Sequence, residues 1–121
     1  MANPLAAGET RDLISAAKVA GTPVYSADGD KLGTIQSVMI SKATGQVAYV
    51  VMAYGGFLGL AVRRHPLPWA VLDYDPHIGG YRLGRPAGDL EGAPALADDA
   101  DEDEHLADPD ARARIDAHYT R

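Results

Sequence analysis

The sequence predicts an all-β fold: a small, partly open antiparallel β-barrel of five to six strands, followed by a short C-terminal helix. Turn-forming stretches rich in Asp, Gly and Pro separate the apolar runs at short intervals along most of the chain. A helical apolar periodicity is found only after residue 108. The length of 121 residues fits one hydrophobic core with short appendages.

Each predicted strand is an apolar run bounded by turn residues. Gly29 follows Asp28 in the first hairpin connection, where glycine supplies the positive φ that a tight turn needs. Pro66 and Pro68 lack the backbone donor of a sheet ladder, so the fourth strand is expected to start at an edge and to become regular at residues 69–72. The predicted strands are Val19–Tyr25, Lys31–Ser41, Gln46–Tyr54, Val62–Tyr74 and Tyr81–Arg85.

The third predicted strand is apolar at both odd and even positions from Val47 to Ala53. An antiparallel sheet with one wet face shows alternating apolar and polar residues instead. Both faces of this strand are therefore expected to be covered, one by the core and the other by the terminal segments or by a second copy of the chain. Gly33 in the preceding strand predicts a bulge or a close backbone approach.

The net charge of −6 comes from the end of the chain. Residues 1–97 contain eight acidic and eight basic side chains, whereas residues 98–121 contain nine acidic and three basic ones. Residues 97–108 are therefore expected to be disordered or loosely held. Asp108 and Pro109 then predict a helix start. The predicted divisions are a flexible leader at 1–15, a barrel domain at 16–95, an acidic linker at 96–108 and a helical tail at 109–121.

The predicted tail helix carries a narrow apolar stripe of Ala111, Ile115 and Tyr119. A helix of about eleven residues is marginal in water by itself. The stripe is therefore expected to dock, on its own barrel or on a neighbouring chain.

The composition excludes several classes of function. The chain has no cysteine, which excludes disulfides, thiolate nucleophiles and cysteine-based metal sites. The neutral body offers no basic face for nucleic acid. The longest apolar run, Val47 to Tyr54, is far shorter than the ~20 residues of a membrane-spanning helix, and the first residues lack the pattern of a secretory signal. We expect a cytoplasmic protein without a cofactor that neither binds nucleic acid nor inserts into a membrane.

The polar clusters favour structural roles over chemistry. His65 and His77 lack the spacing of a metal site, which indicates surface histidines. The Asp28–Asp30 turn lacks the other oxygen ligands of a calcium loop. Asp73 and Asp75 are interpreted as the polar rim of a strand end rather than as a general acid and base. Neither a metal site nor a catalytic residue is predicted.

A glycine-rich turn carries Phe57, Leu58 and Leu60 just before the strand that contains the only tryptophan. Large apolar side chains in such a turn either fold inward and plug the end of the barrel or form an exposed contact patch. Together with the two-sided third strand they favour self-association as a homodimer. The predicted interface residues are Tyr49, Val51, Tyr54, Phe57, Leu58, Leu60, Trp69, Ile115 and Tyr119.

Five stretches of the sequence form a recognisable set: Gly21–Tyr25, Asp28–Ile35, Thr44–Val51, Gly55–Gly59 and Pro66–Trp69, of which the last two are the most specific. They resemble the PRC-barrel family, the small β-barrel named for the cytoplasmic domain of the photosynthetic reaction centre H subunit. Tyr74, Gly79–Tyr81 and Leu90–Pro94 also resemble the stand-alone bacterial members. The resemblance spans roughly residues 16–95 and implies a barrel that works by binding, often to itself, with no common catalytic apparatus.

Two functional hypotheses follow from these residues and from the resemblance. The first is a non-enzymatic protein–protein interaction or scaffold module that forms a homodimer and binds an unidentified protein partner. The second is a small-ligand or pigment-complex-associated binding protein. Its pocket would be lined by Tyr49, Tyr54, Phe57 and Trp69.

Overall fold

The computed structural model describes residues 13–55, 62–90, 92–97 and 100–120. In these residues one six-stranded sheet has the strand order β4-β3-β2-β1-β6-β5. The mostly β fold is thus confirmed. The strands are β1 (Pro23–Tyr25), β2 (Lys31–Ile40), β3 (Val47–Gly55), β4 (Val62–Pro68), β5 (Leu72–Asp75) and β6 (Gly80–Leu83), and the α-helices are α1 (Ala16–Val19), α2 (Glu102–Ala107) and α3 (Pro109–Tyr119).

The sheet is mixed rather than antiparallel. β1 and β6 run parallel, with Val24 opposite Tyr81, whereas the other four neighbouring pairs are antiparallel. The prediction of an antiparallel barrel is therefore only partly right. The chain passes from β4 to β5 through a short turn instead of a hairpin. β4 and β5 therefore run in the same direction. This interrupts the alternation of strand directions along the chain, so β6 runs parallel to its neighbour β1.

A three-residue 3-10 turn at Trp69–Val71 connects β4 to β5, although these two strands lie at opposite edges of the sheet. The chain from Pro68 to Leu72 spans at most about 14 Å, so the sheet curls until its two edges approach each other there. No ladder joins β4 to β5 in the described residues, and the sheet is not closed into a barrel.

The expectation of a regular strand at residues 69–72 is wrong for residues 69–71, which carry the chain from one sheet edge to the other, whereas Leu72 begins β5. The edge position of Pro66 and Pro68 is confirmed, since β4 pairs with β3 on one side and ends the strand order.

The beginning of the first predicted strand is helical instead. Ser15 caps α1 by accepting a hydrogen bond from the Ala17 N–H at 3.3 Å, and Thr22 Oγ1 donates to the Lys18 carbonyl at 2.8 Å. The prediction of a strand over residues 19–25 is therefore wrong for its first four residues. Alanine and lysine before Val19 favour a helix, and Val19 is buried at the end of that helix.

β3 lies at the centre of the core. Its residues Tyr49–Met52 are all buried, although successive side chains of a strand point to opposite faces. β2 and β4 flank β3 through antiparallel ladders. The prediction that both faces of this strand are covered is confirmed.

The backbones of β2 and β3 come very close at Gly33. A Cβ at this position would lie 2.0 Å from the carbonyl oxygen of Ala53 and 3.0 Å from its carbonyl carbon. The close backbone approach predicted for Gly33 is confirmed.

The described residues between Gly92 and Thr120 form an extension that we call the arm. Asp101 caps α2 by accepting hydrogen bonds from two backbone N–H groups at 2.9 and 3.3 Å, and Leu106 anchors this helix in the core. The expectation of disorder over residues 97–108 is wrong for α2, because its acidic residues lie in the first turn, where the helix dipole favours them. The predicted start of α3 is confirmed, since Asp108 accepts a hydrogen bond from the Asp110 N–H at 3.0 Å.

The Gly33→Ala substitution is expected to lower the free energy of unfolding by about 1–3 kcal/mol or more, because the added methyl group would meet the backbone of Ala53. Urea denaturation followed by circular dichroism measures this loss. Gly88→Ala is the matched control, since nothing lies within 4 Å of its Cβ position. The control should leave the stability unchanged or raise it by up to about 1 kcal/mol. Equal effects of the two substitutions would contradict the close approach.

Candidate interaction surface

The arm packs on the sheet of its own chain through an apolar face. α3 lies against β4, and α2 lies against α3. Tyr49 and Val51 belong to the face of β3 that meets the arm, because Tyr49 contacts α3 and residues two apart share a face of a strand. The buried residues of the arm are Ala93, Leu96, Leu106, Ala111, Ile115, His118 and Tyr119.

Arg64 holds the beginning of the arm. Its backbone carbonyl accepts a hydrogen bond from the Leu96 N–H at 2.8 Å, which forms an isolated antiparallel bridge at the outer edge of β4. Its guanidinium Nη2 donates to the carbonyls of Ala97 at 2.7 Å and Ala100 at 2.9 Å. Arg64 therefore binds the tail of its own chain.

Three further side chains of the body donate hydrogen bonds to the arm. In each of these bonds the sheet or the loop after it supplies the donor, and the arm supplies an oxygen acceptor. This division suits an arm that contains seven of the seventeen acidic residues of the chain. The bonds run from Ser37 to the Glu102 carboxylate at 2.7 Å, from Tyr49 to the Asp116 carboxylate at 2.8 Å, and from Arg85 to the Tyr119 carbonyl.

The Tyr49 hydroxyl is fixed as a donor by its surroundings. Burial raises the pKa of Tyr49 to about 12, and the hydrogen bond to the Asp116 carboxylate adds to the shift. The hydroxyl therefore stays protonated throughout the neutral range and keeps β3 bonded to α3.

A groove of about 680 Å³ lies between the β2–β3 hairpin and the arm, and we call it the hairpin groove. Its lining combines apolar residues with three charged ones. Ile40 is 51% exposed, which makes it a large apolar side chain open to solvent at this groove. The apolar lining residues are Val38, Met39, Ile40, Ala48, Tyr49, Leu106 and Ala107, and the charged ones are Lys42, Asp103 and Arg112.

A family model of the PRC-barrel domain matches residues 11–83, more than half of the chain. The chain belongs to the PRC-barrel domain family. The suspected resemblance is thus confirmed, and the family is generally one of non-catalytic domains. No curated protein matches the chain. In the described part of the protein, no helix has the length and apolar character needed to cross a membrane.

The family match contains all six strands of the described sheet but ends before the arm. Four of the predicted interface residues are covered where the arm meets these strands. Their proposed contact with a second chain stays a prediction, and in this conformation it would require the arm to move. These residues are Tyr49, Val51, Ile115 and Tyr119, with exposed fractions of 8%, 0%, 0% and 3%.

The other predicted aromatic residues pack against separate neighbours. Tyr54 lies edge-on to His65 with 5.9 Å between the ring centroids, and Trp69 lies against Tyr81 at 5.4 Å. The hairpin groove is lined by Tyr49 but by neither Tyr54 nor Trp69. The small-ligand hypothesis therefore draws no support from this groove as a shared aromatic pocket.

The remaining predicted interface residues, Phe57, Leu58 and Leu60, lie outside the described residues. Their role in an interface stays a prediction from the sequence.

The prediction of a surface histidine is wrong for His65, which is 0% exposed, whereas His77 is exposed. His65 lies opposite the buried Met52 in the β3–β4 ladder, so its burial depends on how the strands pair and not on the residues next to it in the sequence. Within the described residues no group of three side chains is placed to hold a metal ion.

The other polar clusters have structural partners. Asp75 forms an ion pair with Arg82 at 2.9 Å, and this hydrogen bond lowers the pKa of the carboxyl group below its usual value. In the first hairpin turn, Ser26 Oγ accepts hydrogen bonds from the backbone N–H groups of Asp28 and Asp30, each at 3.2 Å. These contacts agree with the interpretation of both clusters as structural.

Ile115→Ala is expected to lower the free energy of unfolding by about 2–5 kcal/mol, because Ile115 is fully buried between the arm and the sheet. Urea unfolding measures the loss. Ile78→Ala makes the same chemical change at a side chain that is 37% exposed, and it should cost much less. Similar stabilities of the two variants would show that the arm is not part of the core.

Proposed function

We propose that this protein is a non-enzymatic interaction module of the PRC-barrel type that self-associates as a homodimer and in this form binds a further protein partner. The observation that carries the proposal is the exposure of Ile40 beside the hairpin groove. An apolar side chain that is half exposed and borders an apolar recess is typical of a surface used for association.

The form of this surface supports association with a second copy in particular. A two-fold dimer needs a patch that is complementary to itself, so that each copy offers both the protruding group and the recess that receives it. Ile40 and the hairpin groove lie in one patch and meet this requirement. The lining also carries both signs of charge, since Lys42 and Arg112 are positive and Asp103 is negative. A two-fold axis that brings Asp103 of one copy to Lys42 or Arg112 of the other would pair opposite charges.

Pairing of sheet edges is a weaker route to association in this protein. β4 contains Pro66 and Pro68, and part of its outer edge is bridged by Leu96. β5 at the other edge is four residues long and carries Asp73 and Asp75. Short strands, prolines and edge charges all disfavour the addition of a further strand. These features support contact through side chains at the hairpin groove.

The segment that contains Phe57 and Leu58 is proposed as a second contact surface on the basis of its sequence. Val62, which begins β4 after this segment, is 48% exposed. An exposed valine at this end of the sheet supports an apolar patch there.

Ile40→Asp is expected to yield a folded monomer, because a carboxylate at this position would be desolvated against the groove of the second copy. Light scattering and sedimentation equilibrium across a concentration series measure the change. Ile78→Asp places the same charge at an exposed isoleucine outside the groove and should leave the dimer intact. Wild-type protein that stays monomeric at high micromolar concentration would refute the dimer itself. A dimer that persists in Ile40→Asp would refute this surface.

The double substitution Phe57→Asp with Leu58→Ser tests the second surface in the same sedimentation series. If these side chains take part in the interface, the variant should be a folded monomer, because charge and polarity replace apolar contact area. Circular dichroism controls for folding. A variant that is folded and still dimeric would exclude the segment from the interface and leave the hairpin groove as the proposed contact.

A further inference from the structure

The contact between the arm and the sheet has the chemistry of a docking surface. On the sheet side, Ser37, Tyr49 and Arg64 donate side-chain hydrogen bonds, and carboxylates or backbone carbonyls of the arm accept them. Residues 101–120 of the arm contain seven acidic and two basic side chains. An acidic segment with a buried apolar stripe therefore lies on a sheet face that offers hydrogen-bond donors and apolar side chains.

The arm is joined to this face less firmly than the strands are joined to one another. A continuous ladder with β3 runs along the whole length of β4, whereas the described part of the arm is bridged to the sheet backbone at the isolated pair of Arg64 and Leu96. A helix of eleven residues, such as α3, is also marginal in water without its tertiary contacts. The arm is therefore the part of the core that can leave while the sheet keeps its ladders.

Tyr119 adds a cost to the docked position of the arm. Its side chain is 3% exposed, and its hydroxyl has no hydrogen-bond partner among the described residues. Burial raises the pKa of Tyr119 to about 12, so the hydroxyl is a protonated donor without an acceptor. The Tyr49 hydroxyl, by contrast, donates to Asp116 at 2.8 Å. Release of the arm would return the Tyr119 hydroxyl to water, which recovers the cost of leaving it unpaired.

We propose that the sheet face beneath the arm is an exchangeable docking surface, which receives the arm of a second copy of this chain in place of its own. An arm from another copy brings the same apolar stripe and the same acceptors for Ser37, Tyr49 and Arg64. Exchange therefore replaces each contact within the chain by an identical contact between chains, which makes it a low-cost route to association. The inference uses a different surface from the homodimer proposed at the hairpin groove and does not depend on it.

A labelled peptide of residues 92–121, added to the full chain and followed by fluorescence anisotropy, tests the exchange. The peptide binds the fraction of chains whose own arm has left the sheet, so its apparent dissociation constant reports how firmly that arm is held. The peptide should bind the wild-type chain. The same peptide with Ile115→Asp should not bind, because Ile115 is 0% exposed in the docked arm and a carboxylate there would be buried without a partner.

Two substitutions in the full chain should shift the binding of the unmodified peptide in opposite directions. Asp116→Ala removes the acceptor of Tyr49 and loosens the chain's own arm, so the peptide should bind about 5- to 30-fold more tightly. Tyr119→Phe removes the unpaired hydroxyl and holds the arm more firmly, so the peptide should bind about 5- to 30-fold more weakly. Arg114→Ala changes an exposed side chain of α3 and should leave the binding unchanged.

A peptide that binds neither the wild-type nor the Asp116→Ala chain would overturn the proposal, as would equal binding by the Asp116→Ala and Tyr119→Phe chains. Circular dichroism checks that each chain is folded. If Asp116→Ala does not fold, Tyr119→Phe decides alone, and binding as tight as that of wild type would then overturn the exchange. The Ile40→Asp chain should bind the peptide as wild type does, which separates a failure of the exchange from a failure of the homodimer at the hairpin groove.

Discussion

β3 carries four consecutive buried residues, Tyr49–Met52, and its two faces each need a separate cover. The curled sheet encloses one face, on which Val50 and Met52 lie. Within the described residues the six-stranded sheet has no further strand to place over the other face, where Tyr49 and Val51 lie. Removal of apolar surface from water contributes about 25 cal/mol for each Å², so a cover over this face adds to the stability of the fold.

The arm supplies this cover from outside the part of the chain that matches the family. Its apolar residues Leu106 and Ile115 are buried in the core that includes β3. The carboxylates of Glu102 and Asp116 accept hydrogen bonds from Ser37 and Tyr49. Sequence reasoning assigned the same strand face to the terminal segments or to a second copy. In the folded chain the terminal segment occupies it. The proposed homodimer would therefore use a different surface, at which the exposed Ile40 rather than the buried Tyr49 would make the contact.

Features that depend on neighbouring residues could be read from the sequence, and features that depend on distant contacts could not. The two-sided burial of β3, the edge position of Pro66 and the cap at Asp108 each follow from local patterns. The parallel pairing of β1 with β6 and the burial of His65 depend on where remote segments return to the sheet. The sequence did not predict α2 for another reason. A run of acidic residues is typical of disorder, and the burial of Leu106 stabilises this helix only in the packed structure.

The arm also forms one wall of the hairpin groove, through Leu106, Ala107 and Arg112. The segment that covers Tyr49 and Val51 therefore also bounds the recess beside Ile40. A bounded recess lined by apolar and charged residues is suited to a specific contact. An uncovered strand face would instead be a broad apolar surface, prone to less selective association.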